Sequence, residues 1–232
     1  MQVGNTSVAD KPRNLDPLAE RVLKNLAARP EAAEIVLGGY FALQHYADYR
    51  STHDIDAWWR THPSATTEAA IRAVMEEIVA AEGYELRERR FGETISLEMH
   101  REGKKRFSFQ IAVRSVELEP PGPSPWPPIL LETIHDNIGA KMNALVGRGA
   151  ARDFLDITHL VQAKLTTPAE CWTLWSRKNP GWSLDTAKSK VAFHLMTMKS
   201  RRPLDSIENP VERAKAQQTR EWFRREFLGL GP

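Results

Sequence analysis

The stretch that decides the fold runs from Gly38 to Trp59 and reads GGYFALQHYADYRSTHDIDAWW. The residues just before it, Ile35 to Leu37, form a short apolar run that is typical of a buried strand. The pair Gly38-Gly39 ends that run and lets the backbone turn tightly and approach a ligand closely. Tyr40 to Tyr46 has the spacing of a helix, and after Arg50 the pattern changes to period two. The stretch therefore predicts a strand, a glycine turn, a helix and a second strand.

Asp54 and Asp56 share one face of the second strand, because side chains at i and i+2 point the same way. Carboxylates in that arrangement lie about 7 Å apart at Cα and repel each other when no cation joins them. Proteins bind Mg²⁺ through one or two carboxylates together with substrate phosphates. The unpaired N–H groups where the helix begins, at Gly38-Gly39, predict a phosphate site beside them. The alternative is a plain buried strand, a glycine turn and an exposed Asp-x-Asp.

The order of Gly-Gly, helix and Asp-x-Asp strand resembles the signature of the polymerase-β-like nucleotidyltransferases. GGYFALQHYADYRSTHDID, with its arginine and threonine just before the carboxylates, is similar to the first motif of the AbiEii-type toxin nucleotidyltransferases of bacterial abortive-infection systems. The resemblance implies a site for Mg²⁺ or Mn²⁺ at Asp54 and Asp56, and nucleotide contacts at Gly38, Gly39, Arg50 and Thr52.

A second group of charged residues follows in the C-terminal half. Lys141 interrupts a helix of otherwise apolar pattern, where a lysine is costly unless its ammonium reaches an anion. Asp153 and Asp156 lie at i and i+3, on one face of the next helix. KMNALVGRGAARDFLDITHL resembles the second AbiEii-type motif. That resemblance implies that Lys141 holds nucleotide phosphates and that Asp153 supports catalysis or positions Lys141. It also implies phosphate contacts for Arg148 and Arg152. The alternative is a structural salt bridge between Lys141 and either aspartate.

One strand departs from the superfamily pattern. Arg106 to Val113 alternates between an apolar face and a face that carries Ser108 and Gln110. In the resembled superfamily a strand at this place commonly supplies a third metal-binding carboxylate, and here the position holds Gln110. Glutamine offers only a neutral carbonyl, so we expect one tightly held Mg²⁺ and not two. Glu98, on the neighbouring predicted strand, is the alternative third ligand.

A proline-rich segment predicts the domain organisation. Six prolines occur between Glu119 and Pro128, which excludes a helix and a central strand. We interpret residues 120–128 as a stiff linker between two domains. The resemblance then implies that residues 15–119 form an α/β (α+β) nucleotidyltransferase core with a mixed sheet, followed by a helical domain at residues 129–232. Residues 1–14 are expected to be a disordered lead-in.

Composition limits the setting in which the chain works. It has 232 residues, 41% of them hydrophobic and 27% charged, as in ordinary globular proteins. Cys171 is the only cysteine, which excludes an internal disulfide and favours a reducing cytosol. The first thirty residues lack a signal-peptide pattern, and no apolar stretch is long enough to span a membrane. We therefore expect a cytoplasmic protein without a membrane partner.

The resemblance implies an enzyme that transfers NMP from an NTP to an acceptor, for which tRNA is a candidate. The resemblance further implies a toxin of a toxin–antitoxin or abortive-infection system, restrained by a cognate antitoxin. One rival is a nucleotidyltransferase for small molecules, such as an antibiotic-modifying enzyme. The other is a degenerate domain that binds nucleotide or RNA without chemistry, because Gln110 replaces a carboxylate. The histidines are expected to be structural, namely His45, His53, His135 and His159.

Overall fold

The structure is a computed structural model and describes residues 9–114 and 116–230. Backbone contacts divide the chain into two units, Met1–Asn137 and Ile138–Pro232. The first unit is built on a sheet and the second is helical, which confirms the predicted α/β (α+β) class with C-terminal helices. Within the described ranges, no helix combines the length and the apolar composition needed to cross a membrane.

Within the described residues, a seven-stranded mixed sheet forms the centre of the first unit. Its strands are β1 Ile35–Gly38, β2 Asp54–Trp59, β3 Glu85–Phe91, β4 Thr94–Arg101, β5 Lys104–Ala112, β6 Gly122–Pro123 and β7 Leu130–Leu131. They lie side by side in the order β3-β4-β5-β2-β1-β7-β6. β2 pairs with β5 and β1 with β7 in parallel, and the other pairs are antiparallel. The strands predicted on either side of the glycine turn are thus confirmed.

The helices of the first unit begin at residues that can cap them. They are α1 Pro17–Ala27, a 3₁₀ turn at Pro30–Glu34, α2 Gly39–Leu43 and α3 Ala65–Glu82. Asp16 caps α1 because its Oδ1 accepts a hydrogen bond from Leu18 N at 2.7 Å. α3 ends at Gly83, which has the left-handed conformation that glycine adopts without strain. α2 is shorter than the predicted Tyr40–Tyr46 helix and has only five residues.

The two faces of the sheet differ in polarity, as period two requires. The face that packs on α1 and α3 is apolar and contributes to one buried core cluster. Its fully buried side chains include Leu37, Ile55, Phe107, Phe109 and Ile111. We call the opposite face, which carries Asp54 and Asp56, the carboxylate face. Burial of the apolar face fixes the register of β2 and β5, since a slip of one residue would bury the carboxylates.

The proline-rich segment is part of the first unit, which corrects the linker predicted at residues 120–128. β6 pairs with β7 at the edge of the sheet, where a proline costs no ladder hydrogen bond. Trp126 is 3% exposed and lies in the same core, with its ring centroid 6.0 Å from that of Phe41. The predicted boundary between residues 128 and 129 therefore moves to Asn137/Ile138. The prediction excluded a helix and a central strand, and it did not consider that a proline can lie in an edge strand, as Pro123 does.

The predicted lead-in is ordered where the structure describes it. Residues 1–8 lie outside the described residues. Further on, Asn14 N donates to Asp48 Oδ2 at 2.9 Å, and His45 Nδ1 lies 2.7 Å from Asp10 O. These contacts tie residues 10–14 to the segment after α2, so the prediction of disorder is wrong for them.

The second unit consists of helices, as predicted. They are α4 Ile134–Gly147, whose first turn belongs to the first unit, then α5 Ala151–Gln162, α6 Pro168–Lys178, α7 Leu184–Arg201 and α8 Pro210–Trp222. A short π-helical turn, Phe223–Phe227, continues α8. Aromatic rings pack this turn against the other helices. The ring centroids of Phe154 and Phe223 lie 4.7 Å apart, and those of Trp172 and Phe227 lie 5.3 Å apart.

Candidate functional site

The two carboxylates lie on neighbouring positions of the carboxylate face. Asp54 and Asp56 are both half-buried, while Ile55 between them is fully buried in the core. The parallel strand β5 places Ser108 opposite Asp54 and Gln110 opposite Asp56. The predicted Asp-x-Asp pair therefore sits in the middle of the sheet, on the face opposite the apolar core.

Hydrogen bonds orient the first carboxylate. Asp54 Oδ1 accepts from Ser108 Oγ at 2.6 Å and from Lys105 Nζ at 2.9 Å. The backbone N–H of Asp54 donates to Thr52 Oγ1 at 3.2 Å, so Thr52 fixes the start of β2. The ammonium of Lys105 offsets part of the repulsion between the two carboxylates. Lys105 was missed by sequence reasoning, and it lies beside the predicted metal ligands.

The two glycines of the turn make room for side chains of β2. Gly39 has a φ of +59°, and a Cβ there would lie 2.1 Å from Asp56 Oδ2. A Cβ at Gly38 would lie 2.0 Å from Nε1 of Trp58. Any other residue would therefore collide with the second carboxylate or with the indole next to it. The glycine pair and the Asp-x-Asp pair form one packed arrangement.

A buried carboxylate, that of Glu132, fixes the Gly38-Gly39 turn by a hydrogen bond. Glu132 is 1% exposed and accepts hydrogen bonds from Gly39 N at 3.1 Å, Asn137 Nδ2 at 2.5 Å and Trp58 Nε1 at 2.8 Å. Burial, and then the charge of Glu132, raise the pKa of the Tyr46 hydroxyl to about 12. Sequence reasoning missed Glu132, although a single acid in the apolar run Ile129–Ile134 was a signal for it.

Glu132 changes the predicted phosphate site. The N–H of Gly39, expected to be unpaired, donates to this carboxylate. α2 has five residues and so lacks the length of a helix whose dipole could hold an anion. The expectation of an anion site at the start of this helix is therefore wrong for the N–H of Gly39, which is already bonded. The Gly-Gly turn positions Asp56 and Trp58 in the structure.

The loop before β2 is anchored by α2. Tyr40 Oη donates to the carbonyl of Arg50 at 2.9 Å, and Gln44 Nε2 donates to the same oxygen at 2.9 Å. The guanidinium of Arg50 stacks on the ring of Tyr40, 3.3 Å from its centroid. Arg50 is thus a cation held at a fixed place at the end of the loop, two residues before Thr52.

The third-carboxylate position is neutral. Gln110 is exposed and lies on the carboxylate face directly opposite Asp56. Glu98, the alternative ligand, lies one strand further, opposite Ser108. It is 7% exposed and contacts His100 Nε2 at 2.9 Å and Arg89 Nε at 3.4 Å. Its carboxylate is thus already bound on the far side of Ser108.

The donor set fits a cation that arrives with phosphate. Among the described residues there is no cluster of three or more His, Cys, Asp or Glu side chains that could hold a metal alone. Asp54 and Asp56 offer two carboxylates on one face, which is the number that Mg²⁺ uses when substrate phosphates complete its shell. The residues present fit a metal–nucleotide complex better than a resident ion.

The second motif forms two separate ion pairs in the second unit. Lys141 Nζ donates to Asp156 Oδ2 at 2.8 Å, with both side chains buried. Arg148 donates twice to Asp153, at 2.9 and 2.8 Å, and Ala150 N donates to the same carboxylate at 3.0 Å. The expectation that Asp153 positions Lys141 is therefore wrong, because Asp156 does so. The predicted phosphate contact Arg152 is exposed on α5.

The histidines make contacts that fit structural roles. His53 Nδ1 lies 2.5 Å from the helix-capping Asp16, and His135 Nδ1 lies 2.7 Å from a glutamate. Burial lowers the pKa of His45 and of His159, and the nearby Lys215 lowers that of His159 further.

Comparison with known proteins agrees with this geometry. No curated protein matches the chain. The family model described as nucleotidyl transferase AbiEii toxin, type IV toxin–antitoxin system, matches residues 21–230 and so covers the carboxylate face as well as both ion pairs of the second motif. The chain therefore belongs to the AbiEii family of nucleotidyl transferase toxins.

Proposed function

We propose that this protein transfers a nucleotidyl group from an NTP to an acceptor, with Asp54 and Asp56 holding the divalent cation of the bound nucleotide. The observation that supports the proposal is the packing of Asp56 against Gly39 beside an Asp54 that Ser108 already orients. Two aligned carboxylates beside a glycine turn are suited to a metal–triphosphate complex.

The chain's residues divide the task by position. Asp54 and Asp56 would hold Mg²⁺ or Mn²⁺, which supplies neutralising charge for the triphosphate when bound. The Gly38-Gly39 turn lets the nucleotide come close, and Arg50 offers a cation already held against Tyr40. Thr52 acts through Asp54, because Thr52 Oγ1 accepts a hydrogen bond from the backbone N–H of Asp54.

The second motif contributes the other phosphate contacts of the proposal. Lys141 would bind phosphate oxygens, and Asp156 keeps its ammonium in place before the nucleotide arrives. Arg148 and Arg152 are further phosphate contacts. Asp153 acts through Arg148, which it holds by two hydrogen bonds. An acceptor hydroxyl would attack the α-phosphorus, and the bond to pyrophosphate would break.

The acceptor in this proposal is an RNA such as tRNA. Residues 126–232 hold 16 Lys and Arg against 11 Asp and Glu, a surplus that favours a polyanion. The family implies a cognate antitoxin, and we infer that the reaction takes place in the cytosol. The second candidate function is nucleotide binding without transfer, which Gln110 favours because it removes one carboxylate from the usual set.

The test uses purified protein, each α-labelled NTP, total tRNA and Mg²⁺. We expect label from one NTP in the RNA, and a loss of at least about 100-fold in Asp54→Asn and in Asp56→Asn. Asp185→Asn, at an exposed position of α7, is the matched control and should keep full activity. Nucleotide binding without transfer would support the second candidate. Full activity in a well-folded Asp54→Asn protein would overturn both.

A further inference from the structure

Lys105 lies on the carboxylate face, although regular alternation along β5 would place it on the apolar face. Phe107 points into the core, and a side chain two residues earlier would do the same in a regular strand. The register shifts here, because Phe107 pairs with Met99 whereas Lys105 pairs with His100. Arg106 is therefore an extra residue in β5. Such a β-bulge turns neighbouring side chains to a new direction, often next to an active site.

The bulge brings an ammonium to the first carboxylate. Lys105 Nζ lies 2.9 Å from Asp54 Oδ1 and 3.5 Å from Ser108 Oγ. The side chains of Lys105 and Asp54 are 43% and 41% exposed, so water reaches both. An exposed pair of this kind contributes little to stability, and its partners can exchange.

The lysine contributes a positive charge to this face. The two residues of β5 opposite the carboxylates are Ser108 and Gln110, which are neutral. Asp54 and Asp56 carry two negative charges, and the contact with Lys105 offsets one of them. A bare divalent cation therefore competes with a lysine at Asp54. A metal–nucleotide complex instead brings phosphate oxygens that the displaced ammonium can bind.

We propose that Lys105 is an exchangeable counter-ion of the site. It neutralises Asp54 while no nucleotide is bound, and it moves to a phosphate oxygen when the metal–nucleotide complex occupies the carboxylates. The inference rests on the proposed function. The flexible four-carbon stem of lysine permits the move, and its strongly hydrated ammonium suits phosphate as well as carboxylate. Metal and nucleotide then bind together more readily than metal alone.

The test measures two affinities that should change in opposite directions. In Lys105→Ala, Mn²⁺ alone, followed by electron paramagnetic resonance of free Mn²⁺, should bind about 3- to 10-fold more tightly because its competitor is gone. Mn²⁺ complexes of the four NTPs, titrated by calorimetry, should include one that wild type binds and that this variant binds about 10-fold more weakly. Lys105→Arg keeps the charge, so its affinity for Mn²⁺ alone should equal that of wild type.

The adjacent Lys104 is the matched control, because it is an exposed lysine one residue away. Lys104→Ala should leave both affinities within about twofold of wild type. Weaker binding of bare Mn²⁺ in Lys105→Ala would overturn the proposal, since the lysine would then merely align Asp54. Unchanged affinities in Lys105→Ala would overturn it too.

Asp54→Asn and Asp56→Asn distinguish this inference from the proposed function. Loss of Mn²⁺ binding in both, with no effect of Lys105→Ala, refutes the counter-ion role alone. Normal Mn²⁺ binding and transfer in both aspartate variants refutes the proposed function. Thermal unfolding followed by circular dichroism confirms that each variant is folded before its affinities are compared.

Discussion

Two lysine–aspartate pairs of nearly equal length differ in how much water reaches them. Lys141 and Asp156 lie 2.8 Å apart, with side chains 11% and 1% exposed. Lys105 and Asp54 lie 2.9 Å apart, with side chains 43% and 41% exposed. The exposed pair can exchange partners at little cost, whereas each charge of the buried pair would be costly alone. The distance between the charged atoms therefore does not distinguish a lysine that is held in place from one that can move. The burial of the pair does distinguish them.

Removing one charge from the buried pair should have the largest effect on stability. Asp156→Asn keeps the size of the side chain and removes the charge that pairs with Lys141 at 2.8 Å. Breaking a buried pair from one side costs about 3–5 kcal/mol. We expect the free energy of unfolding, measured by urea titration, to fall by that amount.

The matched control for this prediction is Asp153→Asn. Its partner Arg148 is 52% exposed and can be solvated by water when the carboxylate is lost. The cost should therefore be only about 1–2 kcal/mol, from the lost bonds to Arg148 and to the first turn of α5. Equal losses in the two variants would contradict the argument that the cost depends on whether water can reach the charge left behind.

Replacing both members of the buried pair separates its structural from its functional role. Lys141→Met combined with Asp156→Leu removes both charges, and apolar replacement of a buried pair is often neutral. The free energy of unfolding should lie within about 1 kcal/mol of wild type. Nucleotide affinity, measured by calorimetry with Mg²⁺, should still fall about 10-fold, or about 1.4 kcal/mol. Unchanged affinity in this stable variant would make Lys141 purely structural.

The sequence was sufficient for elements whose signal is local. Period two at Asp54–Trp59 predicts a strand with the carboxylates on one face, and the structure has that strand with the same alternation. The Gly-Gly turn could be predicted because no other residue tolerates both the positive φ of Gly39 and the closeness of Asp56. In both cases the residues that decide the structure are neighbours in sequence or need a special backbone conformation.

Residues whose roles depend on distant contacts could not be predicted. Lys105 faces Asp54 only because Arg106 is bulged, and period two alone puts it on the wrong face. Glu132 reaches Gly39 across 93 positions of the chain. Asp153 and Asp156 share a helix face, so spacing alone could not decide which of them binds Lys141. Each of these contacts is settled by tertiary packing.

Adding a carboxylate opposite Asp56 should have a moderate effect on transfer, and it should raise the rate and not lower it. Gln110 is exposed opposite Asp56, so Gln110→Glu adds a negative charge without burying it. We expect transfer to need less Mg²⁺ and to become up to about 10-fold faster, which is about 1.4 kcal/mol of transition-state stabilisation. Gln162→Glu, at an exposed position of α5, controls for the added charge. Slower transfer in Gln110→Glu would mean that this position needs a neutral group.

Breaking the exposed pair should change stability least. Lys105→Ala removes an ammonium that water already reaches, and exposed pairs contribute about 0.2–1 kcal/mol. The loss has two opposing parts, because Asp54 and Asp56 repel each other more strongly without the lysine, whereas alanine has no rotamers that must be ordered on folding. Near 1 M ionic strength, where the screening length is about 3 Å, the electrostatic part should shrink and the variant should approach wild type. Urea titrations of both proteins at low and high salt measure this difference. A loss above about 2 kcal/mol, or one that salt does not reduce, would mean that Lys105 is held as firmly as Lys141, and the contrast between the two pairs would fail.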